Sequence, residues 1–124
     1  MGATGIVEAL IGKRFKLHPE VSARYPELAS VHWRRGGLPV GVAGWFLGQG
    51  SAAAITLWGI VFVSPSTVID AELLLHEFRH VQQFEASLTF PMLYLWESAR
   101  RGYFANRFEI DARRYAAHRV RRGD

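Results

Sequence analysis

Cysteine is absent from the chain, and lysine is scarce. The absence of cysteine excludes disulfides, thiol catalysis and cysteine-ligated zinc, so any metal ion must be held by His, Asp or Glu. The basic residues are almost all arginine, because only Lys13 and Lys16 are lysines. A secretory signal is also lacking, since the short apolar run Ile6–Ile11 precedes Lys13 instead of following a basic cluster. The absence of cysteine leaves the redox compartment open, and the lack of a secretory signal predicts a cytoplasmic or membrane-associated protein.

The length and composition predict a single α+β domain. Its 124 residues are enough for a hydrophobic core, and 49% of them are hydrophobic, which argues against disorder. Residues 1–29 are expected to be mainly helical, residues 30–65 to form strands, and residues 66–124 to form the helices of the candidate site and of the C-terminus. We expect a small, mainly antiparallel sheet packed against those helices.

The stretch Val40–Val63 carries no charge and has two interpretations. Its length permits a membrane-spanning helix. Five glycines and the polar segment Gln49–Ser51 interrupt it, however, and favour two strands joined by a turn of small residues. The β-branched and aromatic segment Ile55–Val63 is typical of a strand. We therefore predict strands and keep membrane contact as the alternative.

The net charge is +4, and the arginines concentrate near the C-terminus. Such a charge run is typical of the solvated face of a terminal helix, although it also attracts nucleic acid or anionic lipid. No C-x-x-C finger, aromatic RNA-binding signature or lysine-rich tail accompanies the arginines. The sequence therefore argues against a nucleic-acid-binding module.

The segment Leu73–Phe84 contains the motif H-E-x-x-H at His76, Glu77 and His80. On a helix this spacing places both imidazoles on one face, one turn apart, where they can bind the same metal ion. Glu77 is rotated away from that face and can reach a water on the metal. A catalytic zinc site needs a third protein ligand and one open position. The rest of the chain must therefore supply another ligand.

Three downstream glutamates are candidates for the third ligand. Glu85 points off the metal face of the same helix, and Glu97 is explained by pairing with a neighbouring arginine. Glu109 follows the cap-like Asn106 in the first turn of the last predicted helix, where a carboxylate also offsets the helix dipole. Because the motif lacks a third ligand, we favour metal coordination by Glu109.

Together these residues resemble a known family. The chain looks like a very small gluzincin, the thermolysin-like division of zinc metallopeptidases, in which H-E-x-x-H is followed by a glutamate ligand. It is more similar to short bacterial peptidase-like domains with an L-L-x-H-E-x-x-H-x-x-Q helix. One such group is the core domain associated with extracellular contractile injection systems. In those domains a strand precedes the helix, matched here by Thr56–Val63, and an N-x-x-E-x-x-A segment follows it, matched by Asn106–Ala112.

The resemblance implies a minimal zincin-like domain that binds Zn²⁺ through His76, His80 and Glu109. It implies that Glu77 is the general base in the attack of a metal-activated water on an amide. A peptide or protein substrate is expected to add to the strand Ile55–Val63 as a further extended strand.

The supporting residues of this site stay open at the level of the sequence. Arg113 stands where many gluzincins have an aspartate that orients a zinc-bound histidine, so the orienting group is unassigned. Candidates for a supporting or oxyanion-stabilising role are Asn106, Tyr103 and Asp111, with Tyr115 and His118 as further oxyanion donors. The alternative function is a non-catalytic subunit or scaffold of a larger, membrane-bound assembly, in which the metal site is vestigial or structural.

Overall fold

The computed structural model describes residues 3–40 and 53–122. Its main helices are α1 (Ala3–Ile11), α2 (Pro19–Arg24), α3 (Ala71–Ala86), α4 (Phe90–Ala105) and α5 (Arg107–Arg122), with a 3₁₀ helix over Pro26–Ser30. Its strands are β1 (Lys13–Arg14), β2 (His32–Arg35), β3 (Ala54–Leu57) and β4 (Ile60–Val63). The predicted α+β class is confirmed.

The four described strands form one sheet in the order β1–β2–β4–β3. The pairs β1–β2 and β3–β4 are antiparallel, whereas β2 and β4 are parallel. The sheet is therefore mixed but mainly antiparallel, as predicted. Strand β3 forms one edge of these four strands, next to helix α3.

The prediction of one strand over Ile55–Val63 is wrong in its middle. Strands β3 and β4 are the arms of a tight hairpin, in which Leu57 pairs with Ile60 across the turn Trp58–Gly59. Trp58 has a left-handed φ of 55°, which is uncommon for a bulky residue. The β-branched and aromatic composition of Ile55–Val63 therefore predicts strand but does not indicate the turn at Trp58–Gly59.

The hairpin also bears on the interpretation of Val40–Val63 as a spanning helix. Residues 54–63 are β-structure, so a single helix over the whole stretch is wrong. The strand expected in the first half of the stretch falls largely on residues 41–52, which lie outside the described residues. Across residues 3–40 and 53–122, no helix combines the length and apolarity that a membrane crossing needs.

The N-terminal segment, expected to be helical, also contains strand β1. This strand follows Gly12, which ends helix α1 because its left-handed φ of 70° is not helical. A Cβ atom at Gly12 would lie 2.5 Å from the carbonyl oxygen of Arg35, a separation that sterics forbid. Glycine therefore allows the end of α1 to approach β2 closely enough for β1 to join the sheet.

Helix α3 lies between the sheet and helix α5. Val61 and Val63 of β4 pack with Leu74, Leu75 and the other apolar residues of α3 in one buried cluster. On the side facing α5, small buried side chains such as Ala116 allow close helix packing. The helix begins at Asp70, whose Oδ1 accepts a hydrogen bond from the backbone of Leu73 at 2.8 Å. Burial on two sides fixes the rotation of α3, and with it the direction in which the H-E-x-x-H motif faces.

Candidate metal centre

His76 and His80 lie one turn apart on the same face of α3. Their ring centroids are 4.9 Å apart, and the rings are nearly perpendicular. His80 is buried and His76 is half-buried. The helical spacing therefore produces the convergence of two imidazoles that the sequence predicts.

Glu109 of α5 completes a group of three side chains. Its Oε1 lies 2.9 Å from Nε2 of His76 and 3.2 Å from Nε2 of His80. The candidate ligand atoms all lie within 4.8 Å of one another. Two imidazoles and one carboxylate at these distances can hold a metal ion. The predicted ligands are thus brought together, although α3 and α5 are separated in sequence by the whole of α4.

The first turn of α5 is fixed by two buried polar side chains. Asn106 caps it, with Oδ1 accepting from the backbone of Phe108 at 2.8 Å. The amide nitrogen of Asn106 donates to the carbonyl oxygen of Tyr94 at 3.1 Å. Glu97 accepts from the backbone of Arg107 at 3.1 Å, so this glutamate supports the helix start and does not join the metal group. These contacts tie α4 to the turn that carries Glu109.

Glu77 is buried beside the metal group, with 6% of its surface exposed. The hydroxyl of Thr56 in β3 donates to Oε1 of Glu77 at 3.0 Å. The other oxygen, Oε2, lies 3.9 Å from Nε2 of His76. Strand β3 therefore holds the Glu77 carboxylate beside the three candidate ligands, farther from His76 than the carboxylate of Glu109 is. The sequence did not single out Thr56, because its contact with Glu77 is between a strand and a helix.

His80 is oriented by Gln83, a role that the sequence left unassigned. Nδ1 of His80 donates to Oε1 of Gln83 at 2.7 Å, which directs Nε2 at Glu109. The amide nitrogen of Gln83 in turn donates to Oδ2 of Asp111 at 3.0 Å, and Arg79 donates to the same oxygen at 2.7 Å. A chain of contacts thus links a predicted ligand to Asp111 through Gln83. The spacing of three residues between His80 and Gln83 was the available signal.

Tyr94 is a further supporting residue that the sequence missed. Its hydroxyl donates to Oε2 of Glu109 at 2.5 Å, on the oxygen that does not face the histidines. Burial and the charge of Glu109 raise the pKa of Tyr94 well above its usual value. No sequence signal marked this tyrosine, since the contact depends on how α4 crosses α5.

The remaining candidates have different positions. Burial and the charges of Glu109 and Glu77 raise the pKa of Tyr103. Tyr115 packs against Phe78 and lies under the guanidinium of Arg79, on the core side of α5. The last oxyanion candidate, His118, is exposed near Arg122. Arg113, at the position where an orienting aspartate was expected, donates to the carbonyl oxygen of Phe104.

The electrostatics of the group couple His80 to Glu109. Burial alone would lower the pKa of His80, but the hydrogen bond to Glu109 and the charges of Glu77 and Glu109 raise it to about 9. Burial alone would likewise raise the pKa of Glu109, but hydrogen bonds with the two histidines hold it well below its usual range. Without a metal ion, a protonated histidine and an ionised glutamate therefore stabilise each other.

Comparisons with known proteins identify no relative. No family model matches the chain, and neither a curated protein nor a solved structure matches it significantly.

Proposed function

We propose that this chain is a zinc-dependent metallopeptidase, or a peptidase-like hydrolase, of the gluzincin type. The observation that carries the proposal is the convergence of His76, His80 and Glu109 beside the buried carboxylate of Glu77. Two histidines and a glutamate are the ligands of thermolysin-type catalytic zinc, which keeps its fourth position for water or substrate. Calcium and magnesium prefer sites that are richer in oxygen.

The surroundings of the group support zinc as the ion. A metal-bound histidine usually donates a hydrogen bond from its second ring nitrogen to a fixed acceptor. Nδ1 of His80 does so to Gln83 at 2.7 Å. Tyr94 binds the outer oxygen of Glu109, which directs the other oxygen at the histidines. Both ligand orientations are therefore prepared by the protein itself.

The proposed reaction is the hydrolysis of an amide. Bound zinc would supply Lewis-acid activation of a water molecule and of the scissile carbonyl group. Glu77 accepts the proton of the attacking water and transfers it to the leaving nitrogen. The hydrogen bond from Thr56 keeps the carboxylate of Glu77 in place for both proton transfers.

Tyr103 is the proposed donor to the oxyanion that forms during the attack. A tyrosine phenol is protonated at neutral pH, and burial and the charges of Glu109 and Glu77 raise the pKa of Tyr103 further, so the hydroxyl is available to donate. Tyr94 is already committed to Glu109. The substrate would lie along β3 as an additional strand, because β3 is the edge of the described sheet and carries the residue that contacts Glu77.

Substitution of the proposed base tests this function. We expect Glu77→Gln to retain one zinc ion per chain and to lose hydrolysis of a broad peptide library, because the amide cannot accept the proton. Glu85→Gln is the matched control, since Glu85 is an exposed glutamate of the same helix; this variant should keep both properties. Equal activity of the two variants would contradict the proposed role of Glu77.

A second candidate function is favoured by the exposed surface of α4. Met92, Leu95 and Trp96 project their apolar side chains from one face of this helix, and Leu88 before it is fully exposed. Such a patch is typical of a protein or membrane contact, as expected of a non-catalytic subunit of a larger assembly. Zinc-loaded wild-type protein that cleaves no peptide of the library would favour this function over the peptidase.

A further inference from the structure

A row of aromatic rings connects the candidate metal centre with the tip of the β3–β4 hairpin. Tyr94 meets His80 edge to face at a centroid distance of 6.2 Å, and Phe90 follows at 5.8 Å from Tyr94. Phe84 lies 4.7 Å from Phe90, and Trp58 lies 5.2 Å from Phe84. The row therefore begins at a metal-group histidine and ends at a largely exposed indole.

The row lies where a bound peptide would pass. Strand β3 runs along α3, with Thr56 beside Glu77 and the following turn residue Trp58 beside Phe84. Phe84 is one helical turn beyond His80, which is about 6 Å along the axis of α3. Successive residues of an extended peptide are about 3.3 Å apart. A peptide lying on β3 would therefore place one of its side chains against Trp58 and Phe84. That side chain belongs to a residue within one or two positions of the scissile amide.

The fold requires a positive φ at position 58, but it does not explain why this turn position carries a largely exposed tryptophan. Its φ of 55° is left-handed, a conformation with a steric cost for any residue that has a side chain. The indole nevertheless leaves 62% of its surface exposed, so core burial offsets little of this cost. Phe90, which is buried beneath Phe84, gives the row a fixed base. Strain of this kind concentrates at ligand-binding positions.

We propose that Trp58 and Phe84 form a subsite that binds an aromatic or large aliphatic side chain of the substrate, next to the scissile amide. The inference rests on the proposed function and adds its substrate class, peptides with a bulky apolar residue near the cleaved bond. The two rings are tilted by 42° to each other and carry no charge. The subsite therefore selects for apolar contact area and against charged side chains.

Hydroxamates that bind zinc test the subsite without requiring hydrolysis. One pair, the hydroxamates of N-acetylphenylalanine and N-acetylalanine, places a benzyl or a methyl group on the N-terminal side of the metal. A second pair, the monohydroxamates of 2-benzylsuccinate and 2-methylsuccinate, places these groups on the C-terminal side. Dissociation constants are measured with the zinc-loaded protein. We expect the benzyl compound of one pair to bind at least about tenfold more tightly than its methyl counterpart.

Two substitutions and a matched control assign this preference to the subsite. Trp58→Ala and Phe84→Ala should each reduce the benzyl-to-methyl ratio of that pair to within about threefold. Trp96→Ala is the control, because Trp96 is also 62% exposed but lies on the outer face of α4. Its ratio should equal that of the wild type. Phe84→Leu, which keeps an apolar side chain, gives an intermediate ratio and covers the case in which Phe84→Ala does not fold.

The outcomes separate the subsite from the proposed function. Equal binding of the benzyl and methyl compounds in both pairs overturns the subsite and leaves the metal site standing. A benzyl preference that Trp58→Ala leaves unchanged also overturns it. A benzyl preference that Trp58→Ala abolishes, in a protein that cleaves no peptide, supports the subsite and counts against the peptidase. Absence of binding by all four compounds contradicts both.

Discussion

The orientation of His80 depends on the side-chain amide of Gln83. This amide accepts from Nδ1 of His80 and donates to Asp111, so its position is fixed from two sides. Asp111 is held in turn by Arg79. The group that orients His80, which the sequence left unassigned, is thus Gln83, and Asp111 holds Gln83 in place. Gln83 lies on α3, the helix of the H-E-x-x-H motif, and not at position 113, where an orienting aspartate was expected.

Removal of this amide should weaken metal binding without unfolding the protein. We expect Gln83→Ala to lower zinc affinity by about 10–100-fold, because His80 loses the acceptor that fixes its ring. Competition with a chromophoric chelator gives the affinity. Gln82→Ala is the matched control, since Gln82 contacts Arg79 and no member of the metal group. Equal affinities of the two variants would show that Gln83 does not orient the ligand.

Trp58 permits a second test at the scale of one residue, which concerns the strain of the hairpin turn. Alanine and glycine both remove the indole, but only glycine adopts a left-handed φ without a steric cost. We expect Trp58→Gly to be more stable than Trp58→Ala by about 1 kcal/mol. Urea denaturation of the two variants measures the difference. A Trp58→Ala variant as stable as Trp58→Gly would mean that the turn is not strained.

At the scale of elements, the first turn of α5 determines where Glu109, the proposed third ligand, lies. Asn106 caps this turn and binds α4, and Glu97 adds a second contact to the backbone of the turn. The N-terminus of α3 is capped in a comparable way by Asp70, but it lies about 1.7 turns before His76. Loss of either cap should destabilise its helix, but only one of them should affect metal binding.

This difference between the caps is a direct prediction. We expect Asp70→Ala to cost about 1 kcal/mol of stability and to leave zinc affinity unchanged. Asn106→Ala should cost more, because the side chain is fully buried with several hydrogen bonds. It should also lower zinc affinity, since Glu109 follows in the same turn. Thermal melting and zinc titration check both points, and unchanged zinc affinity in Asn106→Ala would contradict this account of how Glu109 is positioned.

The sequence predicts the helices around the site better than the strands, for a physical reason. The caps Asp70 and Asn106 and the apolar period of α3 are local signals. The hairpin depends on a left-handed tryptophan, which no residue pattern favours. Strand β1 was missed because, among the described strands, its two residues pair with the distant strand β2 alone.

The residues of the candidate site likewise differ in how well the sequence predicts them. His76 and His80 follow from helical spacing, and the chemistry of a catalytic zinc demands a third ligand such as Glu109. Thr56 and Tyr94 reach the site through contacts between separate elements, so only the folded arrangement identifies them. The candidate ligands of such a site can therefore be predicted from a sequence. Most of the residues that hold those ligands in place cannot.

At the scale of the whole molecule, the coupling of His80 and Glu109 makes stability depend on pH. In metal-free protein the pKa of His80 is raised from 6.5 to about 9. Its contribution to stability is therefore complete below pH 6.5 and is lost as the pH rises through 9. Glu109 has a lowered pKa, so its contribution is present above 4.5 and is lost only in acid. Zinc requires neutral histidines, so the zinc-loaded protein has no such loss.

We expect the melting temperature of chelator-treated protein to fall between pH 6.5 and pH 9, and that of zinc-loaded protein to fall less. The gap between the two should widen with pH, as measured by circular dichroism. In Glu109→Gln the fall should shrink, because the ion pair is absent. A gap that narrows as the pH rises would contradict the coupling.

The proposed function depends on the binding of one zinc ion by His76, His80 and Glu109. The most direct measurement is the zinc content of the dialysed protein and of Glu109→Gln, combined with X-ray absorption spectroscopy at the zinc edge. We predict about one zinc per wild-type chain, with two imidazoles and at least one carboxylate oxygen as ligands, and a content in Glu109→Gln close to zero. A wild type without zinc, or a Glu109→Gln variant with undiminished zinc, would contradict the account.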